Sequence, residues 1–383
     1  MLVSLIGTWI QSVAQSWLIF ELTRSAFLLG FVGFLNSIPL FLFSLFGGVL
    51  ADRLNKRNIL IVTQISFMAL AFALALLTQF KLITPAQIMA LAVLNGVVMA
   101  FDAPSRQSMV VELVGKAHLP NAIALNSVAF NSSRIIGPAI AAVLVSAIGM
   151  SGCFYINGVS FLAVIIALFA INIKPKGARP GKAVSAMKDL KDGLIFVKNN
   201  PTILVLIAIV GIVSLFGVSY VVLMPIFAND VLRVGVRGLG VLMSCAGFGA
   251  LIGALILARL GDYKHKGWLL FGSSFIFSAA LIIFALSRMY IVSLAALVFV
   301  GGASVIAVSL INMILQTDVP DEYRGRVMSV FMLTFAGMLP FGNLIAGSLA
   351  QSFGVSAAIM AGGISCTVFF CIINIVFPGI RKL

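Results

Sequence analysis

The sequence predicts an all-α membrane protein of twelve transmembrane helices in two six-helix, pseudo-symmetric lobes, and three observations predict it. Of 383 residues, 61% are apolar and only 9% charged, whereas a soluble domain is about half apolar and about a quarter charged. Apolar runs recur between charged or Pro/Gly breaks, each near the roughly 20 residues that cross a bilayer. The two halves also share a register of glycines. One soluble core of this size is excluded.

The runs fall at about 2–20, 27–51, 59–79, 84–103, 121–148, 153–173, 201–227, 238–258, 268–287, 290–315, 326–350 and 355–377. The first contains Gln11, Ser12, Gln15 and Ser16 and lacks a basic leader and an Ala-x-Ala site, so it reads as a span rather than a secretory signal. The longest polar interruption divides the spans six and six, giving an N-terminal lobe over 1–173, a cytoplasmic basic linker over 174–200 and a C-terminal lobe over 201–383. Within the linker, Val184, Met187, Leu190, Leu194 and Val197 recur at helical spacing beside Lys188, Lys191 and Lys198. Two readings are open: an amphipathic helix on an anionic leaflet, or a solvated charged linker.

Shifting the sequence on itself by 205 residues tests for a repeat. Of the 12 glycines before Gly181, seven land on second-half glycines: Gly30/Gly235, Gly33/Gly238, Gly48/Gly253, Gly96/Gly301, Gly137/Gly342, Gly149/Gly354 and Gly158/Gly363. Composition alone gives roughly one or two. Shared positions for close contact or helix breaks imply one packing plan used twice. The same shift pairs Met1 with Leu206, inside the seventh span, so the first helix is expected to be shortened.

Nineteen of the 25 Lys and Arg flank one side of these spans; Arg24, Lys81, Arg233, Arg237 and Arg288 flank the other, and Arg134 lies within a span. The positive-inside rule then places both termini and the linker in the cytoplasm, in a multi-pass protein of the inner membrane. The charge of +14 is thus a membrane asymmetry, and no nucleic-acid partner is implied. Cys153, Cys245, Cys366 and Cys371 lie in apolar runs without metal-ligand spacing. No Gly-x-x-x-x-Gly-Lys-Ser/Thr loop is present, and His118 and His265 fall in loops. An ATP-hydrolysing site, a metal site and any other cofactor are therefore not expected, nor is enzyme activity. The sequon at Asn131 lies inside a span and is discounted.

Arg134 is the one charge well inside an apolar run, about 13 residues or about 20 Å past Asn121. At that depth it needs water or a partner. Ser127, Asn131, Arg134 and Pro138 share a helix face, which forms either a cavity wall or a set of groups serving backbone carbonyls freed near Pro138. Ser4, Thr8, Gln11, Ser12 and Gln15 form a second polar face on the first span, to line water or to join helices. Asn95, Ser214, Tyr220, Asn312 and Asn343 are further polar groups within spans; each suits packing or a substrate cavity. Phe34, Phe41, Met99, Phe130, Phe216, Met224 and Phe331 offer apolar surface to an amphipathic cargo, or simply to lipid and core.

Between the second and third spans stands Gly47-Gly48-Val49-Leu50-Ala51-Asp52-Arg53-Leu54-Asn55-Lys56-Arg57. Gly48 is suited to tight packing, Asp52 to a helix N-terminus, and the basic residues to acids on neighbouring helices. Such a segment is a cytoplasmic gate between lobes, or only a positive-inside turn. It resembles the cytoplasmic signature of the major facilitator superfamily, Gly-x-x-x-Asp-Arg-x-Gly-Arg-Arg, with Asn55 where Gly is usual. Phe101-Asp102-Ala103-Pro104-Ser105-Arg106-Gln107, and Asn126 through Gly137-Pro138-Ala139-Ile140-Ala141, extend the resemblance to the transmembrane secretion effectors, which include enterobactin-exporter-like and macrolide-efflux-like proteins. Ala141-Ala142 depart from the Gly common in exporter motifs.

The resemblance implies the major facilitator fold, and it implies that Asp102 joins Asp52, Arg53 and Arg57 in the gate, with Gly137-Pro138 shaping an exporter helix. It also implies export of an amphipathic small molecule, siderophore or drug-like, with protons as coupling ion; two lobes around a midplane cavity are expected to work by alternating access, as a monomeric secondary transporter. An importer of the same fold and a non-transporting membrane scaffold or enzyme are the alternatives. Glu21, Asp52, Asp102 and Asp230 all lie near span ends, and Asp102 is the best placed of them to carry a proton.

Overall fold

The computed structural model describes residues 1–171, 186–261 and 265–382, and at some helical positions, Asp52 and Arg53 among them, the backbone only. The described residues form helices and short connections without a strand. In order they are α1 (Leu2–Thr23), α2 (Ala26–Arg53), α3 (Lys56–Gln79), α4 (Pro85–Ala170), α5 (Ala186–Asn199), α6 (Pro201–Ile212), α7 (Tyr220–Ile226), α8 (Gly235–Leu260), α9 (Lys266–Leu286), α10 (Tyr290–Asp318), α11 (Asp321–Phe353) and α12 (Val355–Val376). Single π turns at Val213–Gly217 and Phe227–Val231 flank α7, so Pro201–Val231 runs on as one membrane-length segment. Eleven described segments are long and apolar enough to cross a membrane.

Local chemistry sets the helix ends. Ser25 accepts the Leu28 N–H, Asn55 accepts the Arg57 N–H, and Thr84 with Gln87 forms a reciprocal capping box ahead of Pro85. Each satisfies donors that the first turn leaves unpaired. α4 is not one straight rod: Gly115 (φ 69°) and Gly149 (φ 74°) interrupt its helical backbone. Gly354, 205 residues after Gly149, has φ 87° and separates α11 from α12. Positive φ at both points suits glycine, which lacks the Cβ that penalises it.

Other glycines paired at that interval make matching approaches. Gly96 abuts the backbone of α2 at Asn36, and Gly301 that of α8 at Ala246. Gly137 packs on α1 at Ile6 and Trp9, and Gly342 on the π turn at Leu215.

The chain divides into two compact units, Met1–Lys182 with Gly235–Ser244, and Ala183–Val234 with Cys245–Leu383. The first is centred on α1, α3 and α4, where Phe20 and Phe154 are fully buried and Phe67 stacks on Phe161 at 5.6 Å. The start of α8 belongs to it because Ser244 Oγ donates to the Ile135 carbonyl at 2.8 Å and Gly240 packs against Pro138. In the second unit, Phe227, Phe277, Phe284 and Phe370 are fully buried. Large apolar side chains also line the outside, with Ile291 76% and Ile375 77% exposed, as expected of surfaces whose solvent is hydrocarbon.

The linker helix lies in the second unit, docked on the start of α11. Arg326 Nε donates to Asp189 Oδ1 at 2.9 Å, and its Nη1 stands 3.7 Å from Asp192. Gly193 lets the helix backbone meet the Arg326 carbonyl, and Phe196 stacks on Tyr323 at 4.4 Å. Val197 is buried, whereas Lys191, Leu194 and Lys198 are exposed. Neither sequence reading included this docking, because both placed the helix by its basic residues and its carboxylates make the contact. Val184 and the side chains of Met187 and Lys188 lie outside the described residues.

Candidate functional site

Two groups of polar side chains stand out in the first unit: an ionic cluster joining α3 to α4, and a polar face on α4 around Arg134. Asp102 is only 1% exposed, and its carboxylate is held by polar partners. Thr63 Oγ1 and Gln64 Nε2 each donate to Oδ1 at 2.8 Å, and Arg106 donates to Oδ2 from Nε at 3.1 Å and from Nη2. A buried carboxylate met by four donors is a stable element that welds two helices, and removing the cation strands its charge.

Arg57 does not join it. Its Nε donates to the Leu168 carbonyl at 2.7 Å and its Nη2 to the Phe169 carbonyl at 3.0 Å, with the guanidinium 5.9 Å from the Phe169 ring centroid. Arg57 thus caps the end of α4, where carbonyls lack helical partners and a cation is favoured. The expected meeting of Arg57 with Asp102 is corrected accordingly: Arg106, four residues along the same helix, holds the carboxylate. The side chains of Asp52 and Arg53 lie outside the described residues. A second correction concerns Gly48, around which a Cβ would meet open space. Gly47 makes the tight contact, against the Ala100 carbonyl. One residue rotates a helical position by about 100°, enough to exchange the two roles. Nearby, Lys56 pairs with Glu112 at 2.6 Å.

The polar face of α1 divides. Gln11 Oε1 accepts from Asn157 Nδ2 at 2.7 Å, which joins α1 to the last part of α4. Thr8 is exposed and donates to the Ser4 carbonyl at 2.9 Å; Ser12 is exposed and Gln15 half-buried. Asn95 Nδ2 donates to Asn36 Oδ1 at 2.9 Å, linking α4 to α2.

Around Arg134, Asn131 Nδ2 donates to the Ser127 carbonyl at 2.8 Å. Arg134 itself is half-buried and makes no hydrogen bond or ion pair with any described residue. Its face turns toward protein, since Pro138, Ala141 and Ala142 along it are buried, while nearer the start of the segment Ser127 and Phe130 are exposed. An open apolar groove of about 460 Å³ runs past Ile135, Ile136, Ala139, Ile140, Val143 and Leu144. At 100° per residue those side chains lie largely on the opposite side of the helix, so the groove does not serve the guanidinium.

In the second unit, Ser214 is fully buried and donates to the Phe335 carbonyl at 2.6 Å. Tyr220 is buried with its ring edge-on to Phe284 at 6.1 Å. Asn312 accepts from Gln316, and Asn343 is buried in α11. Asn157, Thr63 and Gln64 were absent from the sequence-derived sites; each sits in an apolar run where its partner is distant in sequence. Arg106 had a legible signal, its i,i+4 spacing from Asp102.

Eleven described segments of membrane length, built on a repeated glycine plan, define a multi-pass membrane protein. The chain belongs to the transmembrane secretion effector family, whose profile matches residues 1–380. It is 28% identical to the staphyloferrin A transporter of Staphylococcus aureus, over 96% of this chain and 93% of the relative. It is 25% identical to the multidrug efflux pump Tap of Mycolicibacterium fortuitum, over 98% and 93%. It is 23% identical to the enterobactin exporter EntS of Shigella boydii, over 99% and 90%.

Among solved structures, a bacterial homolog of the human lysosomal transporter Spinster, inward-facing and unoccupied, matches with TM-score 0.78 at 15% identity, over 99% of this chain and 96% of that one. The nucleoside transporter NupG matches with TM-score 0.75 at 12% identity, over 100% and 98%. The family and these relatives are transporters, not enzymes.

Proposed function

We propose that the protein exports an amphipathic small molecule, siderophore or drug-like, across the inner membrane by alternating access. The observation that carries this reading is Arg134: a guanidinium on the protein-facing side of a membrane helix, without a partner among the described residues. Such a group is costly in hydrocarbon unless it meets water or a partner, and it marks a substrate path by default. Similarity along nearly the whole chain to a multidrug efflux pump and an enterobactin exporter supports the direction and the cargo class.

The proposed topology has twelve crossings. Leu125–Ala170 is 46 residues long, about 69 Å of helix against a hydrocarbon core of about 30 Å. It serves as two spans that turn at Gly149, as α11 and α12 turn at Gly354. Residues 1–173 and 201–383 are then the two lobes, residues 174–200 the linker, and both termini are cytoplasmic. The proposed cytoplasmic gate comprises Gly47, Asp52, Arg53 and Asp102, with Arg106; Arg57 serves as the cap of α4. The cargo face comprises Arg134, Asn131, Ser127, Thr8 and Gln15; Ser214 and Gln11 serve packing. With no phosphate-binding loop in the sequence, an ion gradient supplies the energy, protons are the proposed coupling ion, and the monomer is the working unit.

The test is cargo flux in inside-out vesicles and in whole cells, with a pH gradient imposed in each direction. Export predicts accumulation inside inverted vesicles and lowered content in cells. Accumulation by cells, with none in inverted vesicles, would establish an importer instead.

A further inference from the structure

Three acids near the span ends already hold donors, whereas Arg134 has no partner among the described residues. Asp102 holds four, Glu21 accepts from Trp17 Nε1 at 3.0 Å, and Asp230 accepts from Asn229 Nδ2 at 2.8 Å. Arg134 carries a guanidinium cation. Nothing described around it supplies the balancing negative charge, and its face is open only on the side of Ser127 and Phe130. Phe130 stands one turn before Arg134 on the same face, with its ring edge-on to Trp9 of α1 at 6.3 Å. A cation, an amide and an aromatic pair therefore lie within about a turn of one another.

We propose that Arg134 is the docking point for the carboxylate of an amphipathic organic anion whose apolar body rests on Phe130 and Trp9. This assignment rests on the export reading and narrows its cargo from amphipathic to anionic. A planar carboxylate matches the guanidinium fork with two parallel charge-assisted hydrogen bonds, and those bonds strengthen where water is scarce. The Asn131 amide, with one N–H given to the Ser127 carbonyl, leaves Oδ1 to accept from a hydroxyl of the cargo. An amphipathic cation meets like charge at this point and is disfavoured.

Binding of three fluorescent probes tests the assignment. All share one alkyl-linked fluorophore and end in a carboxylate, a carboxamide or a primary amine; each is titrated into the full-length protein in lipid nanodiscs. The carboxylate is expected to bind at least tenfold tighter than the carboxamide, with the amine weakest. Arg134→Gln is expected to bring the carboxylate down to the carboxamide's affinity while leaving the carboxamide unchanged. Equal affinities in the wild type, or a glutamine variant that weakens all three probes alike, would overturn it. Should Arg134→Gln fail to fold, Arg134→Lys decides: a reduced but surviving carboxylate preference supports the assignment, and an unaltered ranking removes it. Binding of the carboxamide without any charge preference defeats the anion assignment alone, whereas a wild type that binds none of the probes defeats the amphipathic-cargo reading as well.

Discussion

Gly149 and Gly354, 205 residues apart, adopt the same extended, positive-φ backbone, at φ 74°, ψ 177° and φ 87°, ψ 155°. Each stands between two membrane-length stretches, and neither has an atom within 4 Å of where a Cβ would be. Backbone conformation, rather than crowding, therefore holds glycine there. Alanine at either position is expected to cost about 1 kcal/mol or somewhat more, seen as a similar fall in melting temperature for both variants in detergent. A neutral Gly149→Ala beside a destabilised Gly354→Ala would break the equivalence.

The turn at Gly149 also predicts sidedness. In a background without the four native cysteines, Ile148→Cys should react with an impermeant maleimide added outside the cell, and His118→Cys only after lysis. Protection of position 148 from both sides would mean that the chain passes through the membrane without turning there.

Gly47 and Gly48 separate contact from proximity. Gly47→Ala forces α2 from the Ala100 carbonyl and is expected to cost about 1–3 kcal/mol, whereas Gly48→Ala, in open space and helical backbone, is expected to be neutral. Thermal unfolding of the two variants side by side checks this, and a reversed order contradicts the helix rotation described.

Arg106→Ala is expected to lose about 3 kcal/mol by stranding the Asp102 carboxylate. Adding Asp102→Asn should recover part of that loss, since an amide needs no counter-charge. A double variant no more stable than Arg106→Ala would show that the weld is not electrostatic.

Arg326→Ala is expected to loosen α5, raising amide exchange over residues 189–199 by about five- to tenfold, a loss of about 1 kcal/mol for a partly exposed ion pair with a ring contact. Unchanged exchange would assign the docking to Gly193, Phe196 and Val197 alone.

The helical membrane class was legible because the bilayer demands long apolar runs, and the breaks at Gly149 and Gly354 because an extended backbone at positive φ favours glycine. What stayed hidden depends on helix rotation and on partners far along the chain. Gln11 reads as a cavity residue until Asn157, 146 residues away, is brought against it. Ser214 reads likewise until the Phe335 carbonyl arrives. Asp189 and Asp192 look like solvated linker charges, because nothing in the linker announces Arg326. Arg134 was legible as a group needing a partner; its turning toward protein rather than the apolar groove required the buried and exposed neighbours along α4.

Uptake of the carboxylate probe into inside-out vesicles under an imposed proton gradient tests export through Arg134 most directly. Accumulation by vesicles carrying the wild type, falling to the level of empty vesicles with Arg134→Gln at equal expression, is the predicted result. Equal accumulation by wild type and variant, or none above empty vesicles for either, would contradict it.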